Sequence, residues 1–561
     1  MPKNTTKRTA RHLVDILAQH GVRHAVLSPG SRNTPLIMAF ERHPDISTTV
    51  VIDERTAAFV ALGISMASFG APVAVCCTSG TAPLNYGPAL AEAYYRGLPL
   101  IAVTADRPEE WIDQDDSQTI RQAGIYGNFT KTSVDLPVES SDPDRAWMTD
   151  RLINEAVLTA LADRRGPVQI NVRLDAPLAD EADFPLNECP QIVRRPSAAI
   201  RPDGYDTVRM REMFSPQQKV LVLAGFLQPG FDISLLESIA ALPNVVVMRE
   251  AQSNLGALAG SIGNIDATLS VSTAAERERF APDVVVTLGG SLLSRYVKTW
   301  LRGVRGLQHV AVNDSDRVVD PFKRLVAVFD TPDVLASLFA DIEIHTEPSP
   351  FKSFWLDKSE VARRKAVDFA AAANWSDFKA MDFVLGSVPS GVHLQVSNGT
   401  AIRYIQMFDY SRCATVQCNR GVSGIDGCTS TAVGAALVTP DPTLLISGDM
   451  SFAYDIGALA LGCIPANFKI VVLNNGGGGI FRFIPSTARL PELERCFVTD
   501  IRLPLRQLAE GYGFRYICAD SSEGLVDALR QFWSDDTLPV ILDVHTPGPL
   551  SADILREFFK S

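Results

Sequence analysis

One carboxylate, two adjacent amides and a run of four glycines carry the most chemical information in this chain. Gly448-Asp449-Met450-Ser451 closes the run Thr443-Leu444-Leu445-Ile446-Ser447. Asn474-Asn475 closes Phe468-Lys469-Ile470-Val471-Val472-Leu473, and Gly476 to Gly479 follow directly. Both apolar runs read as buried strands, and Ser451 to Cys463 between them fits a helix. Two parallel neighbours of such a βαβ unit bring Asp449 and Asn475 to one sheet edge, outside which open α/β sheets bind their ligands. A hard anionic oxygen, an amide oxygen and the carbonyls of a glycine loop suit Mg²⁺, which shares its shell with substrate phosphates. Gly-Asp alone is commonly a turn and Asn-Asn-Gly alone commonly a loop. The pair at this spacing points to a metal-anchored diphosphate.

The elements that must hold such a site alternate along the chain. Residues 1 to about 190 read as helix Thr9 to His20, strand His24 to Leu27, strand Thr48 to Ile52, an Ala-rich helix Arg55 to Ser68, strand Val73 to Cys77, a helix ending at Tyr95 and strand Leu98 to Thr104. That alternation predicts an α/β fold with a parallel sheet covered by helices. Val193 to Pro202 reads as a linker. A second α/β region over 200–345 has strands at Val220, Val245, Val284 and Val310, and no Gly-x-Gly-x-x-Gly at a strand-to-helix turn, so no dinucleotide is expected there. Ile344 to Phe354, with Glu-Pro-Ser-Pro, reads as the next boundary, and 355–561 carries the opening motif. The first and third regions look like two versions of one plan.

Composition narrows the class. The 561 residues suggest three or four domains. The 52 basic and 64 acidic residues give a net charge of −12, which argues against nucleic acid or an anionic membrane as a general partner. The N-terminal residues lack the apolar stretch of a signal peptide, no segment reaches the length of a membrane span, and the nine cysteines show no Cys-x-x-Cys. A cytoplasmic protein with reduced thiols is the expectation.

The first region supplies further candidates. Glu54 follows the strand that ends at Ile52-Asp53; by itself it could be an acid favoured by a helix start. Three loops, each just after a strand, gather beside it: Ser28-Pro29-Gly30-Ser31-Arg32-Asn33-Thr34-Pro35-Leu36, Thr78-Ser79-Gly80-Thr81-Ala82 and Thr104-Ala105-Asp106-Arg107-Pro108. Ser31 and Arg32 fall at a helix start, which favours anions. Arg32 and Arg107 are of the residue type suited to bidentate carboxylate binding.

The Gly-Asp…Asn-Asn pair resembles the diphosphate-binding motif of thiamine diphosphate enzymes. Together with Ser-Pro-Gly-Ser-Arg-Asn-Thr-Pro-Leu, Asp53-Glu54-Arg55, Thr-Ala-Asp-Arg-Pro and Asn419-Arg420-Gly421-Val422-Ser423-Gly424-Ile425-Asp426-Gly427, it resembles the 2-succinyl-5-enolpyruvyl-6-hydroxy-3-cyclohexene-1-carboxylate synthase family of the menaquinone pathway. The similarity runs nearly end to end through the first and third regions and is weaker in the middle. It implies a three-domain thiamine diphosphate-binding fold: a pyrimidine-binding domain over 1–190, a central Rossmann-like domain over 200–345 and a diphosphate/Mg-binding domain over 355–561. It implies a transferase of menaquinone or phylloquinone biosynthesis that decarboxylates 2-oxoglutarate and adds the succinyl carbanion equivalent to isochorismate in a 1,4 sense.

By the same resemblance, Glu54 activates the cofactor, contributed from the partner subunit, so a homodimer is the minimum and a homotetramer is expected. Asp449, Asn475 and the Gly477 carbonyl would hold Mg²⁺, with Mn²⁺ an alternative. Gly448, Met450 and Ser451 would lie along the cofactor with Gly399 and Ile480, and Ile425 would wedge it into its bent shape. Arg32, Arg107, Gln118 and Arg295 would bind isochorismate, Arg403 and Arg420 would face the oxo acid and product, and Ser31 would be a further substrate contact. Ile480 and Phe481 would form an apolar wall, although residues of that kind after a glycine run also suit a core. The chain departs from the family pattern at Ser117, Ser294, Gly476 and Gly479, which bears on substrate contacts. The alternatives are another thiamine diphosphate 2-oxoacid decarboxylase or carboligase, which a flavin in the middle region would mark, or a non-catalytic metabolite-binding scaffold. Retention of both Glu54 and Asp449 counts against the scaffold.

Overall fold

The computed structural model describes residues 3–162, 164–185, 190, 192–194, 210, 212–256, 258–313, 317–340, 347–499, 501, 503–534 and 537–560. The linker expected at Val193 to Pro202 lies largely outside these residues, as does the start of the boundary expected at Ile344. Packing divides the chain into two compact units. One comprises Met1–Ala198, Asn419–Pro440 and Tyr454–Pro465; the other comprises Ala199–Cys418, Asp441–Ala453 and Ala466–Ser561.

The first unit opens with β1 (Lys3–Thr5), followed by β2 (His24–Leu27), β3 (Ser47–Val50), β4 (Val73–Cys77), β5 (Leu100–Asp106), β6 (Ser133–Leu136), β7 (Val168–Arg173) and β8 (Glu181–Asp183). β1 and β8 form an antiparallel ribbon; the others make a parallel sheet in the order β3-β2-β4-β5-β7-β6. β4 and β5 are buried along their whole length, which suits strands covered on both faces. Leu27, Cys76, Val103 and Ile170 face the helices Arg8–Gln19 and Pro143–Ala160. Val26, Val75, Cys77 and Ala102 face Glu54–Ala67 and Gly87–Arg96. Strand alternation thus puts the neighbouring thiols Cys76 and Cys77 into opposite cores.

The helix Cys428–Val438 also belongs to this unit and crosses Glu54–Ala67 backbone to backbone. A Cβ on Gly63 would lie 2.0 Å from the Thr431 carbonyl oxygen, and one on Gly434 would lie 2.1 Å from that of Val60. Only glycine permits this approach.

The second unit holds two six-stranded parallel sheets. In the middle one, β9 (Val220–Ala224), β10 (Val245–Arg249), β11 (Ser261–Ile262), β12 (Val284–Leu288), β13 (Gln308–Val312) and β14 (Leu325–Phe329) run in the order β11-β10-β9-β12-β13-β14. That is the doubly wound order of dinucleotide-binding sheets, whose ligands lie at the switch point between the first and fourth strands. Here the loops after β9 and β12 meet directly at that point. The Gly290 N–H donates to the Phe226 carbonyl at 2.8 Å, and a Cβ on Gly225 would lie 2.5 Å from the Gly290 oxygen.

The last sheet has β15 (His393–Val396), β16 (Thr415–Cys418), β17 (Thr443–Gly448), β18 (Phe468–Asn474), β19 (Arg515–Ala519) and β20 (Val540–His545) in the order β16-β15-β17-β18-β20-β19. The helix Pro350–Ala372 serves both sheets of this unit. Phe351 and Trp355 enter the core of the middle sheet, and Ala362, Ala366 and Ala370 enter that of the last. The boundary expected up to Phe354 is therefore helical from Pro350 onward. Ser349 caps the helix by accepting the Lys352 N–H at 3.3 Å, and Pro350 sits in its first turn, where a missing N–H costs nothing.

Candidate functional site

β17 and β18 are hydrogen-bonded neighbours, with Gly448 opposite Leu473, so Asp449 and Asn475 emerge from adjacent strand ends. Asp449 is buried, and its carboxylate accepts from three backbone N–H groups: Gly476 and Gly477 at 2.8 Å on one oxygen, Met450 at 2.7 Å on the other. Burial outweighs those bonds and pushes its pKa up to about 6; Asp377 nearby adds to the rise. The backbone of the glycine loop is thereby folded around the carboxylate. Gly476 and Gly477 have φ of +80° and +120°, and a Cβ on Gly477 would lie 2.3 Å from the Val498 carbonyl oxygen, so the turn requires glycine there. The Gly477 carbonyl accepts the Gly479 N–H at 2.8 Å and keeps a second lone pair.

The Asn475 Nδ2 donates to the Asp377 carboxylate at 2.7 Å, while its Oδ1 is buried with no hydrogen-bond partner. A buried acceptor left unpaired costs about 1–3 kcal/mol, so it signals an absent donor or cation. The donor set fits a hard divalent cation: one carboxylate, one amide oxygen and one main-chain carbonyl, all oxygen. Among the described residues no group of three or more His, Cys, Asp and Glu forms an alternative metal cluster.

Around this loop, Ile480 and Phe481 lie on the short helix Gly479–Phe483 and are half-buried, with Phe481 5.6 Å from the Phe497 ring. The Gly448 N–H donates to Ser397 Oγ at 3.2 Å, which ties β17 to the loop after β15. Gly399 in that loop has φ of +107° and open space where a Cβ would be. Met450 is half-buried and Ser451 buried. The helix expected over Ser451 to Cys463 is shorter and starts earlier. It spans Asp449–Tyr454, and a 3₁₀ turn over Ile456–Ala460 follows. Asp455 interrupts it because its carboxylate is engaged by the Ser430 N–H and hydroxyl at 2.6 and 2.8 Å.

Arg295 and Arg403 belong to this second unit. Exposed Arg295 begins the helix Arg295–Gly303, and Arg403 lies on Ala401–Ile405, close enough to the half-buried Asp266 to act on its charge. Ser294 is the N-cap: its hydroxyl accepts the Val297 N–H at 3.0 Å and donates to Asp266. Glu250 accepts the N–H groups of Leu293 and Ser294, and burial raises its pKa to about 7. Ser294 thus has a local task, joining the helix start to Asp266.

The first unit assembles the other candidates. Glu54 is the first residue of its helix, half-buried, with Asp53 as cap accepting the Arg55 and Thr56 N–H groups at 2.9 and 3.3 Å. Arg32 and Arg107 come close enough to depress the Arg32 pKa, although burial is the larger cause. Arg32 donates to the Leu174 carbonyl at 2.9 Å, and Arg107 pairs with Asp116 at 2.6 Å. Ser31 is exposed in the same loop. Gln118, exposed at φ +54°, has its backbone against Gly80, so the loop after β4 meets the segment after Arg107. Arg420 and half-buried Ile425 lie in the segment leading to Cys428–Val438. Glu92 grips that segment, accepting the Gly421 and Val422 N–H groups at 2.7 and 2.6 Å. Sequence reasoning missed Glu92, Glu250, Asp266 and Asp377, because each acts on backbone or side chains far away along the chain and none carries a local motif.

Two family models match this architecture: "Thiamine pyrophosphate enzyme, N-terminal TPP binding domain" over residues 7–125 and "Thiamine pyrophosphate enzyme, C-terminal TPP binding domain" over residues 399–544. The chain is thus a thiamine diphosphate enzyme by class. It is 39% identical to the 2-succinyl-5-enolpyruvyl-6-hydroxy-3-cyclohexene-1-carboxylate synthase of Porphyromonas gingivalis, over 99% of this chain and 97% of that protein. The synthases of Flavobacterium psychrophilum (37%, 98% of each chain) and Desulfotalea psychrophila (34%, 96% of this chain and 98% of that one) are similar along the same length. The chain belongs to the 2-succinyl-5-enolpyruvyl-6-hydroxy-3-cyclohexene-1-carboxylate synthase family.

Proposed function

We propose that this protein converts 2-oxoglutarate, isochorismate and a proton to 2-succinyl-5-enolpyruvyl-6-hydroxy-3-cyclohexene-1-carboxylate and CO₂, a step of menaquinone or phylloquinone biosynthesis. The observation that carries the reading is similarity over the whole chain to synthases of that name, joined to a strand-end site that suits a cation and a diphosphate. When bound, thiamine diphosphate supplies the electron sink for decarboxylation and the carbon nucleophile for the 1,4-addition. The protein supplies placement and charge. Asp449, Asn475 Oδ1 and the Gly477 carbonyl hold Mg²⁺ or Mn²⁺ against the diphosphate. Glu54 would serve as the general acid/base facing the pyrimidine. Arg32, Arg107, Gln118 and Arg295 bind the carboxylates of isochorismate, and Arg403 and Arg420 those of the oxo acid.

In this reading 1–190 takes the pyrimidine and 355–561 the diphosphate, with 200–345 between them. We assign the site to two subunits, in a homodimer at minimum and a homotetramer at full assembly. Half-buried Glu54 stands beside Ile52 and Val50, which are 81% and 57% exposed and would be covered by a partner. We place the protein in the cytoplasm; no helix among the described residues is long and apolar enough to cross a membrane. Mass spectrometry of a reaction containing Mg²⁺, thiamine diphosphate and both substrates tests the function. The succinylated adduct is the expected product, and its absence while isochorismate persists would refute the reading.

A further inference from the structure

We infer that Asp377 is a positioning residue for the cation site: it fixes the side-chain amide of Asn475 so that Oδ1, and not Nδ2, is offered as a ligand. The inference rests on the cation reading of Asp449 and Asn475 given above. Asp377 is the first residue of the helix Asp377–Ser387 and is 2% exposed. One carboxylate oxygen accepts the Asn475 Nδ2 at 2.7 Å, and the other accepts the Thr546 hydroxyl. Its backbone N–H donates to Ser551 Oγ at 3.0 Å. Both carboxylate oxygens and the backbone N–H are therefore aimed by neighbours.

An Asn amide has two faces that differ in chemistry, and either could turn toward a cation. A carboxylate accepts and does not donate, so turning Oδ1 toward Asp377 would set acceptor against acceptor. Nδ2 must face Asp377, and Oδ1 is left buried without a partner. The backbone is held as firmly. The Thr546 N–H donates to the Asn474 carbonyl at 3.1 Å, and a Cβ on Gly548 would lie 2.3 Å from the Asn475 carbonyl oxygen. Thr546 and Gly548 follow β20, the strand paired with β18, so both sides of the clamp arise from one sheet. Outer partners of this kind orient ligands and tune their affinity.

The test is Mn²⁺ affinity, measured by electron paramagnetic resonance at saturating thiamine diphosphate, for wild type, Asp377→Ala, Asp377→Asn, Thr546→Val, Asn475→Ala and the Asp377→Ala/Asn475→Ala double variant. Asp377→Ala should weaken Mn²⁺ binding by about 10–100-fold. Asp377→Asn still presents an oxygen to Nδ2 and an N–H to Thr546, and should bind Mn²⁺ nearly as wild type does. Asp377→Ala should add nothing once Asn475 is alanine. If Asp377→Ala does not fold, as judged by circular dichroism, Thr546→Val and Asp377→Asn carry the comparison, with loss expected in the first and retention in the second. A normal Mn²⁺ affinity in Asp377→Ala or Thr546→Val beside a weakened Asn475→Ala would overturn the positioning role and leave the cation site standing. A wild type that binds no Mn²⁺, or an Asn475→Ala variant that binds it normally, would remove the cation reading itself.

Discussion

Acids buried at two points of the second unit show how this molecule prepares charge before any ligand arrives. Asp449 is surrounded by backbone N–H groups of the glycine loop, and Glu250 by those of Leu293 and Ser294. Neither set of bonds fully offsets burial, since both pKa values stand above the ordinary carboxylate range. For Glu250, about 7 in the folded state against 4.5 as the reference means that the folded protein binds more protons across that interval. Its contribution is therefore full below pH 4.5 and is lost as pH rises through 7, by roughly 3 kcal/mol in all. Denaturant unfolding of wild type and Glu250→Gln at pH 4.5 and 7.5 should show the wild type losing ground to the variant by about that amount. A difference independent of pH would contradict it. At Glu54 the expected separation is chemical: Glu54→Gln should bind thiamine diphosphate, as measured calorimetrically, and lose turnover. Unchanged turnover would remove Glu54 from the mechanism. The places of Asp449, Asn475 and Glu54 at the ends of their elements were legible in the sequence, because each stands next to a turn. Asp377 was not, since its bond to Asn475 joins residues 98 apart and leaves no mark at either end.

At the scale of elements, strands were read more accurately than the helices that follow them. β4, β9 and β17 are apolar runs that could hardly be anything else, because a strand covered on both faces has no polar side. The Ser451–Cys463 helix failed for a tertiary reason: Asp455 takes its partner from Ser430 instead of continuing the turn. Pro350 was read as punctuation, yet it begins a 23-residue helix, because the first turn of a helix needs no N–H from it. The crossing of Glu54–Ala67 and Cys428–Val438 at Gly63 and Gly434 was equally hidden, since a helical glycine has several uses. That crossing predicts an effect on stability. Gly434→Leu forces backbone apart where a Cβ alone already meets Val60 at 2.1 Å, and should cost at least the ~1–3 kcal/mol typical of overpacking. A denaturation midpoint within error of wild type would contradict the close crossing.

For the whole molecule, the proposed site needs an acid from the first region and a diphosphate anchor from the third. If these come from different subunits, two inactive variants should complement each other. Mixing Glu54→Gln with Asp449→Ala protomers under exchange conditions should restore partial activity, because one site of each mixed dimer is intact. No recovery, with mixed dimers verified by native mass spectrometry, would place both groups in one chain. The proposed choice of substrates follows from the family relationship and not from the cation site. It is tested most directly by CO₂ release from 2-oxoglutarate and from pyruvate, each with and without isochorismate, on protein loaded with Mg²⁺ and thiamine diphosphate. Release from 2-oxoglutarate, accelerated by isochorismate and matched by its consumption, is the predicted result. Preference for pyruvate, or release indifferent to isochorismate, would contradict the account.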